Sequence, residues 1–232
     1  VNFQNPSGCT TSDRRKEAIL ELAEKHGFFI LEDDPYRYLR YEGSPTRSYF
    51  EMAGDDKRVI YLGSFSKMIA PGVRCGWCAF PAALRSKLLE IRLSLELCPP
   101  ALTQAAVFLF LKELDLDLHL ESLVKVYRKR RDALVEALRE SSAGLGLRLS
   151  VPLGGFFLWG SCPGIKDMFS FARYAATEKG VGFIPGRFFY PLPGEGEETI
   201  RFAFAKVTPE QSAEGARRFR EALVDFPGRL LS

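Results

Sequence analysis

One short segment of the chain combines phosphate-binding residue types with a lysine that could form a covalent bond. Gly63-Ser-Phe-Ser-Lys67 follows an apolar run at Val59–Leu62, and Gly72 and Arg74 come shortly after it. Serine hydroxyls, the backbone amides of a turn and an arginine side chain are groups that hold a phosphate. Lys67 could contact that phosphate, or it could form a Schiff base with an aldehyde. Taken alone, the segment is equally compatible with an ordinary loop and an exposed lysine.

A cluster of three acids after another apolar run helps to choose between these interpretations of the Lys67 segment. Phe28–Leu31 is followed by Glu32-Asp-Asp-Pro-Tyr36, at the end of a second predicted strand. Three acids could bind a metal, but the chain has only two histidines, His26 and His119, and neither has metal-ligand spacing. Pyridoxal phosphate needs an acid for its ring nitrogen, a lysine for its aldehyde and an anion pocket for its phosphate. The two segments together therefore favour pyridoxal phosphate, and we predict no metal site.

Two cysteines have the spacing of a redox pair or of half a zinc site, in the sequence Cys75-Gly-Trp-Cys78. They fall in a predicted strand, where residues three apart point to opposite faces of the sheet. The chain contains no second pair with this spacing. We therefore interpret both cysteines as core residues.

The elements that must position these residues alternate between helix and strand over residues 1–98. Thr10-Thr-Ser12 offers caps for a helix that ends before Gly27. Strands joined by crossovers at this spacing predict an α/β sheet, in which ligands bind beyond the carboxyl ends of the strands. The predicted strands are Phe28–Leu31, Val59–Leu62 and Cys75–Phe80, and a predicted helix follows at Ala82–Leu93.

The rest of the chain has a different pattern. Pro99-Pro100 ends the alternation, and helical periodicity continues from Leu102 to about Ser141. A smaller α+β unit follows. Its predicted strands are Leu147–Val151, Phe156–Trp159 and Ile200–Ala205, and its predicted helices are Met168–Lys179 and Pro209–Val224.

Composition excludes several classes of protein. The chain has 232 residues, with 32 Lys and Arg against 29 Asp and Glu, so its net charge of +3 gives no case for nucleic-acid binding by this segment. Apolar runs such as Val107–Leu111 are far shorter than the ~20 residues that span a bilayer. Five cysteines, an odd and sparse set, indicate free thiols in a reducing compartment, so we expect a cytoplasmic protein.

Four motifs occur in an order that is familiar from one family. They are Asn5-Pro-Ser-Gly8, Glu32-Asp-Asp-Pro-Tyr36, Gly63-Ser-Phe-Ser-Lys67 with Arg74, and Ile200-Arg-Phe-Ala-Phe204. Together they resemble the fold-type I, class I and II pyridoxal-phosphate aminotransferases, over essentially the whole chain. The likeness is greatest to the branch with the 2-aminoadipate, kynurenine and aromatic aminotransferases and the aminotransferase-like half of MocR-type regulators.

The resemblance implies a catalytic role for Lys67, Asp33 and Tyr36. Lys67 is similar to the lysine that holds the cofactor as a Schiff base. Asp33 resembles the carboxylate that keeps the pyridine nitrogen protonated. Tyr36 and Asn5 are similar to the pair that hydrogen-bonds the phenolic oxygen of the cofactor.

The resemblance also implies an anion site for the cofactor and another for the substrate. Ser64, Ser66 and Arg74 stand where the family binds the cofactor phosphate. Arg201 resembles the residue that binds the α-carboxylate of the substrate, with Asn5 beside it. A planar, bidentate guanidinium suits that task better than a lysine does.

The implied fold is the α/β fold of type I pyridoxal-phosphate-dependent transferases. It has a large domain with a mostly parallel sheet, here partial, and a smaller α+β C-terminal domain. Residues 1–98 would be the C-terminal half of the large cofactor-binding domain, 99–141 a helical connection and 142–232 the small domain. Family members are longer and carry a phosphate loop and a ring-stacking aromatic residue ahead of the Asn-Pro-x-Gly turn. We therefore expect an N-terminally truncated chain that binds the cofactor weakly or not at all by itself.

The implied activity is transfer of an amino group from an aromatic or 2-aminoadipate-like α-amino acid to a 2-oxo acid such as 2-oxoglutarate. We expect a homodimer when full length, with no membrane partner. Three alternatives stay open. They are the effector-sensing domain of a MocR-type transcription regulator, a lyase or decarboxylase of the same fold, and a non-catalytic interaction fragment.

Overall fold

The computed structural model describes residues 1–54 and 58–228 and divides into two compact units. The first unit contains residues 1–2 and 10–122, and the second contains residues 3–9 and the chain from Leu123 onward. The predicted boundaries after residues 98 and 141 concern the domains of the whole protein, and they stay a prediction.

The first unit contains a three-stranded sheet. Its strands are β1 (Ile30–Asp33), β2 (Val59–Ser64) and β3 (Gly76–Ala79), which lie in that order. β1 and β2 are parallel, whereas β2 and β3 are antiparallel. The parallel pair confirms the predicted α/β arrangement, because two successive strands bring their carboxyl ends to one edge of the sheet.

Helices precede, connect and follow these strands. The side chain of Ser12 accepts a hydrogen bond from the Arg15 amide at the start of the first helix, and Gly27 ends that helix in the left-handed conformation, with φ 75°. Both ends therefore agree with the prediction. The helices are α1 (Asp13–His26), α2 (Tyr49–Met52), α3 (Arg85–Leu95), α4 (Ala101–Glu113) and α5 (Leu116–Ser141), the last of which begins in the first unit and ends in the second.

Most predicted elements differ from the structure by a few residues at their ends, and two differences have a clear physical reason. The strand predicted at Phe28–Leu31 lies two residues later, since Glu32 within it is held by the backbone amides of Tyr49 and Phe50. The helical region predicted from Leu102 to Ser141 is interrupted between α4 and α5. There the Asp115 carboxylate accepts a hydrogen bond from the Leu118 amide at 3.1 Å and caps the second helix.

The second unit contains a four-stranded antiparallel sheet, two helices of its own and the larger part of α5. The buried rings of Phe202 and Phe219 have centroids 5.1 Å apart, and Phe171 lies 5.7 Å from Phe219. These rings join the sheet to both helices and form the centre of the apolar core of this unit. The strands are β4 (Arg148–Ser150), β5 (Phe157–Ser161), β6 (Ile184–Pro185) and β7 (Thr199–Ala203), in the order β4-β5-β7-β6, and the helices are α6 (Met168–Lys179) and α7 (Pro209–Asp225).

None of the helices in the described ranges, 1–54 and 58–228, is long and apolar enough to cross a membrane.

Candidate active site

The predicted acid and the predicted lysine follow the two parallel strands of the first unit. Asp33, the last residue of β1, pairs in register with Leu62 of β2, and β2 ends two residues later at Ser64. The turn that contains Lys67 begins directly after Ser64. The carboxyl ends of β1 and β2 therefore place Asp33 and the start of the lysine turn at the same edge of the sheet.

Strand alternation separates the three acids at the end of β1. Glu32 and Asp34 are 1% and 2% exposed, whereas Asp33, which points to the opposite face, is exposed. Partial desolvation at the strand end, followed in size by repulsion from the Asp34 carboxylate, raises the pKa of Asp33. Of the three acids, only Asp33 is available to a ligand, which agrees with the role the motif implies for it.

The two buried acids hold the chain around Asp33. The Asp34 carboxylate accepts hydrogen bonds from the backbone amide of Asn2 at 3.0 Å and from its side-chain amide at 2.8 Å. Asn2 in turn accepts hydrogen bonds from Arg40 at 2.8 Å and Thr46 at 3.1 Å. The Asp34 charge is thus compensated by dipoles and by a nearby guanidinium, as a buried charge requires.

Glu32 is held by the first turn of α2. Its two carboxylate oxygens accept hydrogen bonds from the backbone amides of Tyr49 at 3.0 Å and Phe50 at 3.1 Å. Burial raises the pKa of Glu32, and these two amide donors offset part of that effect. Glu32 therefore joins β1 to α2 and does not face the candidate site.

The turn that carries Lys67 is closed by its own backbone. The amides of Met68 and Ile69 both donate to the Phe65 carbonyl, at 3.2 and 2.8 Å, and the Phe65 amide donates to the Cys75 carbonyl at 3.1 Å. Lys67 itself is half-buried, between a half-buried Ser66 and a buried Met68. The lysine is thus fixed on a short, hydrogen-bonded turn rather than on a free loop.

The predicted phosphate ligands lie at the end of β2, on the lysine turn and just beyond that turn. Ser64 and Ser66 are joined, since the Ser66 amide donates to the Ser64 hydroxyl oxygen at 3.1 Å. Arg74 is exposed and has left-handed backbone angles, with φ 46° and ψ 39°, after the short 3-10 helix Pro71–Val73. A non-glycine residue held in this conformation is uncommon and costs free energy, which is typical of residues at functional sites.

These residues fit pyridoxal phosphate. Two hydroxyls and a guanidinium lie near the end of β2, where they could hold a phosphate, and Lys67 lies on the same turn, where it could react with the aldehyde. The carboxylate of Asp33 at the end of β1 suits the ring nitrogen. Tyr36, predicted to bind the phenolic oxygen, lies in the turn after β1 and is 8% exposed.

Close packing between β2 and β3 supports the lysine turn. A Cβ on Gly63 would come within 2.1 Å of the Trp77 indole, which lies opposite Gly63 across the β2–β3 pair. The Trp77 ring in turn packs on Phe65, with 4.7 Å between centroids. Only glycine therefore leaves room for the ring that supports Phe65.

Asn5 and Arg201 meet in the second unit. Arg201 lies on β7, and its Nη1 donates a hydrogen bond to the side-chain oxygen of Asn5 at 2.7 Å. The guanidinium also stacks on two rings, 4.3 Å from the Phe157 centroid and 4.8 Å from that of Phe189. A planar cation held between two rings and an amide has the fixed orientation that bidentate binding of a carboxylate needs.

The turn that presents Asn5 depends on a glycine. The Asn5–Pro6 peptide bond is cis, and the Gly8 amide closes the turn by donating to the Gln4 carbonyl at 2.7 Å. Gly8 has φ 70°, and a Cβ there would lie 2.7 Å from the Pro152 Cβ. The glycine of the Asn-Pro-x-Gly motif is thus required by both its backbone angles and its packing.

The sequence prediction missed three residues that contact this machinery and was wrong about one cysteine. Asn2 was missed because its partners are distant in sequence, and the contact of Phe189 with Arg201 was not predicted. The third is His119, whose Nε2 lies 2.8 Å from the Met68 carbonyl oxygen and whose only sequence signal was its rarity. Cys78 is exposed, so its interpretation as a core residue is wrong, and Cys75 is half-buried.

Comparison with known proteins agrees with these features. The profile of the family described as "Aminotransferase class I and II" matches residues 1–219. The chain is 36% identical over 222 residues to aromatic-amino-acid aminotransferase 1 of Thermococcus litoralis, an alignment that covers 95% of this chain and 52% of that protein.

A solved structure and a regulator are also similar. LysN, an alpha-aminoadipate aminotransferase from Thermus thermophilus complexed with N-(5'-phosphopyridoxyl)-L-leucine, matches with a TM-score of 0.88 and 36% identity over 96% of this chain and 57% of that one. A Bacillus subtilis protein named uncharacterized HTH-type transcriptional regulator YisV is 31% identical over 94% of this chain and 45% of that protein.

The chain spans about half the length of the curated relatives that it matches. The profile match nevertheless runs through both compact units and includes all four motifs. The chain belongs to the class I and II aminotransferase family.

Proposed function

We propose that the complete protein is a pyridoxal-phosphate-dependent aminotransferase. It moves the amino group of an aromatic or 2-aminoadipate-like α-amino acid to a 2-oxo acid such as 2-oxoglutarate. The observation that carries the proposal is the position of Asp33 and the Lys67 turn, at the carboxyl ends of two adjacent parallel strands. The names of the similar aminotransferases support the class of amino donor.

Each predicted site residue of the first unit has a defined task in this reaction. When bound, pyridoxal phosphate acts as an electron sink that makes the α-proton of an amino acid labile. The Lys67 amine would hold the cofactor through its aldehyde and, once released, would move the α-proton as general base and general acid. The Asp33 carboxylate would accept a hydrogen bond from the ring nitrogen and keep that nitrogen protonated. Ser64, Ser66 and Arg74 hold the phosphate.

The second unit supplies recognition of the amino acid. Arg201 binds the α-carboxylate, and its stacking on Phe157 and Phe189 fixes the plane in which the carboxylate is bound. Asn5 holds the guanidinium through its oxygen. The family motifs imply that the side-chain amide of Asn5 and the Tyr36 hydroxyl would each donate a hydrogen bond to the phenolic oxygen of the cofactor.

Replacement of the lysine tests the proposal. In the complete gene product, Lys67→Ala should remove the visible absorption band of lysine-bound cofactor and lower turnover by at least about 10²–10⁴-fold, the usual contribution of a general acid–base group. Lys112→Ala is the matched control, because the Lys112 side chain is 62% exposed and pairs only at the surface, with Glu113. Retained turnover in the Lys67 variant would refute the assignment.

The similarity to an HTH-type regulator supports a second candidate function, an effector-sensing domain with the same cofactor-binding motifs. The two functions differ in turnover and in DNA binding. Multiple turnovers with an amino acid and 2-oxoglutarate favour the enzyme. Specific DNA binding by the complete gene product, altered by pyridoxal phosphate or an amino acid, favours the regulator.

Two further properties belong to this proposal. We propose a cytoplasmic location, supported by the five cysteines, none of which forms a disulfide. We also propose a homodimer for the complete protein, which size-exclusion chromatography with light scattering would test.

A further inference from the structure

A histidine from a different element contacts the backbone of the lysine turn. The Nε2 atom of His119 lies 2.8 Å from the carbonyl oxygen of Met68, the residue directly after Lys67. A carbonyl only accepts hydrogen bonds, so this nitrogen carries the proton and donates it. The contact joins two residues that are 51 positions apart in the sequence.

His119 is itself held firmly. It lies in the first turn of α5, where its amide donates to the Asp115 carbonyl at 3.0 Å. Its ring meets Phe110 of α4 edge to face, with 5.1 Å between the centroids and an angle of 82°. The imidazole is half-buried, so its hydrogen bond to Met68 is partly shielded from water.

The contact holds the carbonyl of a peptide group whose amide the turn's own hydrogen bonds already hold. The bonds within the turn use the amides of Met68 and Ile69 and the carbonyl of Phe65. His119 holds the carbonyl of the Met68–Ile69 peptide, and the Met68 side chain beside it is 3% exposed. The backbone immediately after Lys67 is therefore tied to a long helix, which limits rotation of the turn.

We propose that His119 is a positioning residue for Lys67. By holding the Met68 carbonyl, it fixes the backbone direction from which the Lys67 side chain extends, and so raises the fraction of molecules in which the amine is placed to react with an aldehyde. This inference rests on the proposed covalent role of Lys67. His119 makes no contact with substrate in this role, and its effect reaches the reaction only through the turn.

Trapping of the lysine–cofactor bond tests the inference without measuring turnover. Pyridoxal phosphate is added to the complete gene product, borohydride reduces the C=N bond to a stable secondary amine, and peptide mass spectrometry measures the fraction labelled at Lys67. His119→Leu should lower labelling at subsaturating cofactor about fivefold to tenfold, the effect expected from loss of one partly buried hydrogen bond.

The sequence offers a matched control, since the only other histidine, His26, is exposed at the end of α1. His26→Leu should label like the unmodified protein. His119→Gln should restore labelling, because its amide nitrogen can reach the position of Nε2, whereas the shorter His119→Asn should not. The Gln and Asn pair decides the matter if His119→Leu fails to fold.

The outcomes separate this inference from the proposed function. If the unmodified protein shows no labelling at Lys67, the proposed function fails. If Lys67 is labelled normally but His119→Leu and His119→Asn behave like His26→Leu, the proposed function stands and the positioning role of His119 is refuted. A uniform loss in every folded His119 variant, Gln included, would also refute the role, since it would not depend on the hydrogen bond.

Discussion

At the scale of single residues, three adjacent acids have two different tasks. Asp33 is exposed at the sheet edge, whereas Glu32 and Asp34 are buried and hold neighbouring segments of the first unit. All three residues are acidic, so the sequence alone does not distinguish the exposed acid from the buried ones. The difference comes from the alternation of the strand and from partners that are far away in the chain.

The division of tasks predicts opposite results for neighbouring substitutions. Asp34→Ala should lower the free energy of unfolding by about 2–4 kcal/mol, because it leaves the two Asn2 donors without their acceptor in a buried place. Asp33→Ala should change stability by less than about 0.5 kcal/mol, as is usual for exposed positions. It should nevertheless abolish binding of pyridoxal phosphate.

Urea unfolding and spectral titration with the cofactor would measure both effects on the complete gene product. The assignment of tasks would be wrong if Asp33→Ala proved the more destabilising change, or if Asp34→Ala lost cofactor binding at unchanged stability.

At the scale of elements, the β2–β3 pair supports the lysine turn through a single close contact. Gly63 faces the Trp77 indole, and that ring packs on Phe65 at the start of the turn. Gly63→Ala should therefore displace Trp77, cost about 1–3 kcal/mol of stability as overpacking does, and weaken cofactor binding through movement of Phe65.

Gly72→Ala is the matched control for this substitution. Gly72 lies in the connection between β2 and β3, and a Cβ there has no neighbour within 4 Å. Thermal melting and the change in tryptophan emission relative to the unmodified protein would report the two effects. Equal melting temperatures and equal spectra for the two variants would show that the indole tolerates a methyl group at Gly63.

The helices and strands also show how far the sequence could predict the structure. Local signals placed α1 correctly, since its caps are neighbours in the sequence. The strand β1 was placed two residues too early, because Glu32 looked like a strand end until its partners on α2 were known. The break before α5 was missed, although Asp115 is a favourable capping residue.

The candidate site could be predicted only where a short motif marks it. Lys67, Asp33, Ser64 and Ser66 lie in such motifs, and their roles stay a prediction. His119, Asn2 and Phe189 act through tertiary contacts, to which no local pattern corresponds. The sequence shows the type of each of these three residues but not the group that each one contacts in the fold.

At the scale of the whole molecule, the first unit exposes a large amount of apolar side chain. Leu95, Leu97 and Leu102, in and around the connection between α3 and α4, are 82%, 88% and 85% exposed, and Phe108 of α4 is 63% exposed. Neighbouring exposed apolar residues of this kind mark a surface that associates with other protein.

A polypeptide of residues 1–232 should therefore self-associate and enhance the fluorescence of an apolar dye. Combined Leu95→Ser, Leu97→Ser and Leu102→Ser should reduce both effects, whereas Leu192→Ser, at a 62% exposed site of the second unit, should not. Light scattering and dye binding would measure the change. A monodisperse polypeptide with no dye response would contradict the expectation.

The assignment of Phe3–Cys9 to the second unit has a consequence for how such a gene can be divided. Phe3 is 1% exposed and packs against Gly155, and Asn5 holds Arg201. A gene segment beginning at Leu123 would encode neither Phe3 nor Asn5, although both belong to the unit it was meant to supply. Each unit is thus compact, but the second is not continuous in the gene, and recombination cannot exchange it as a single module.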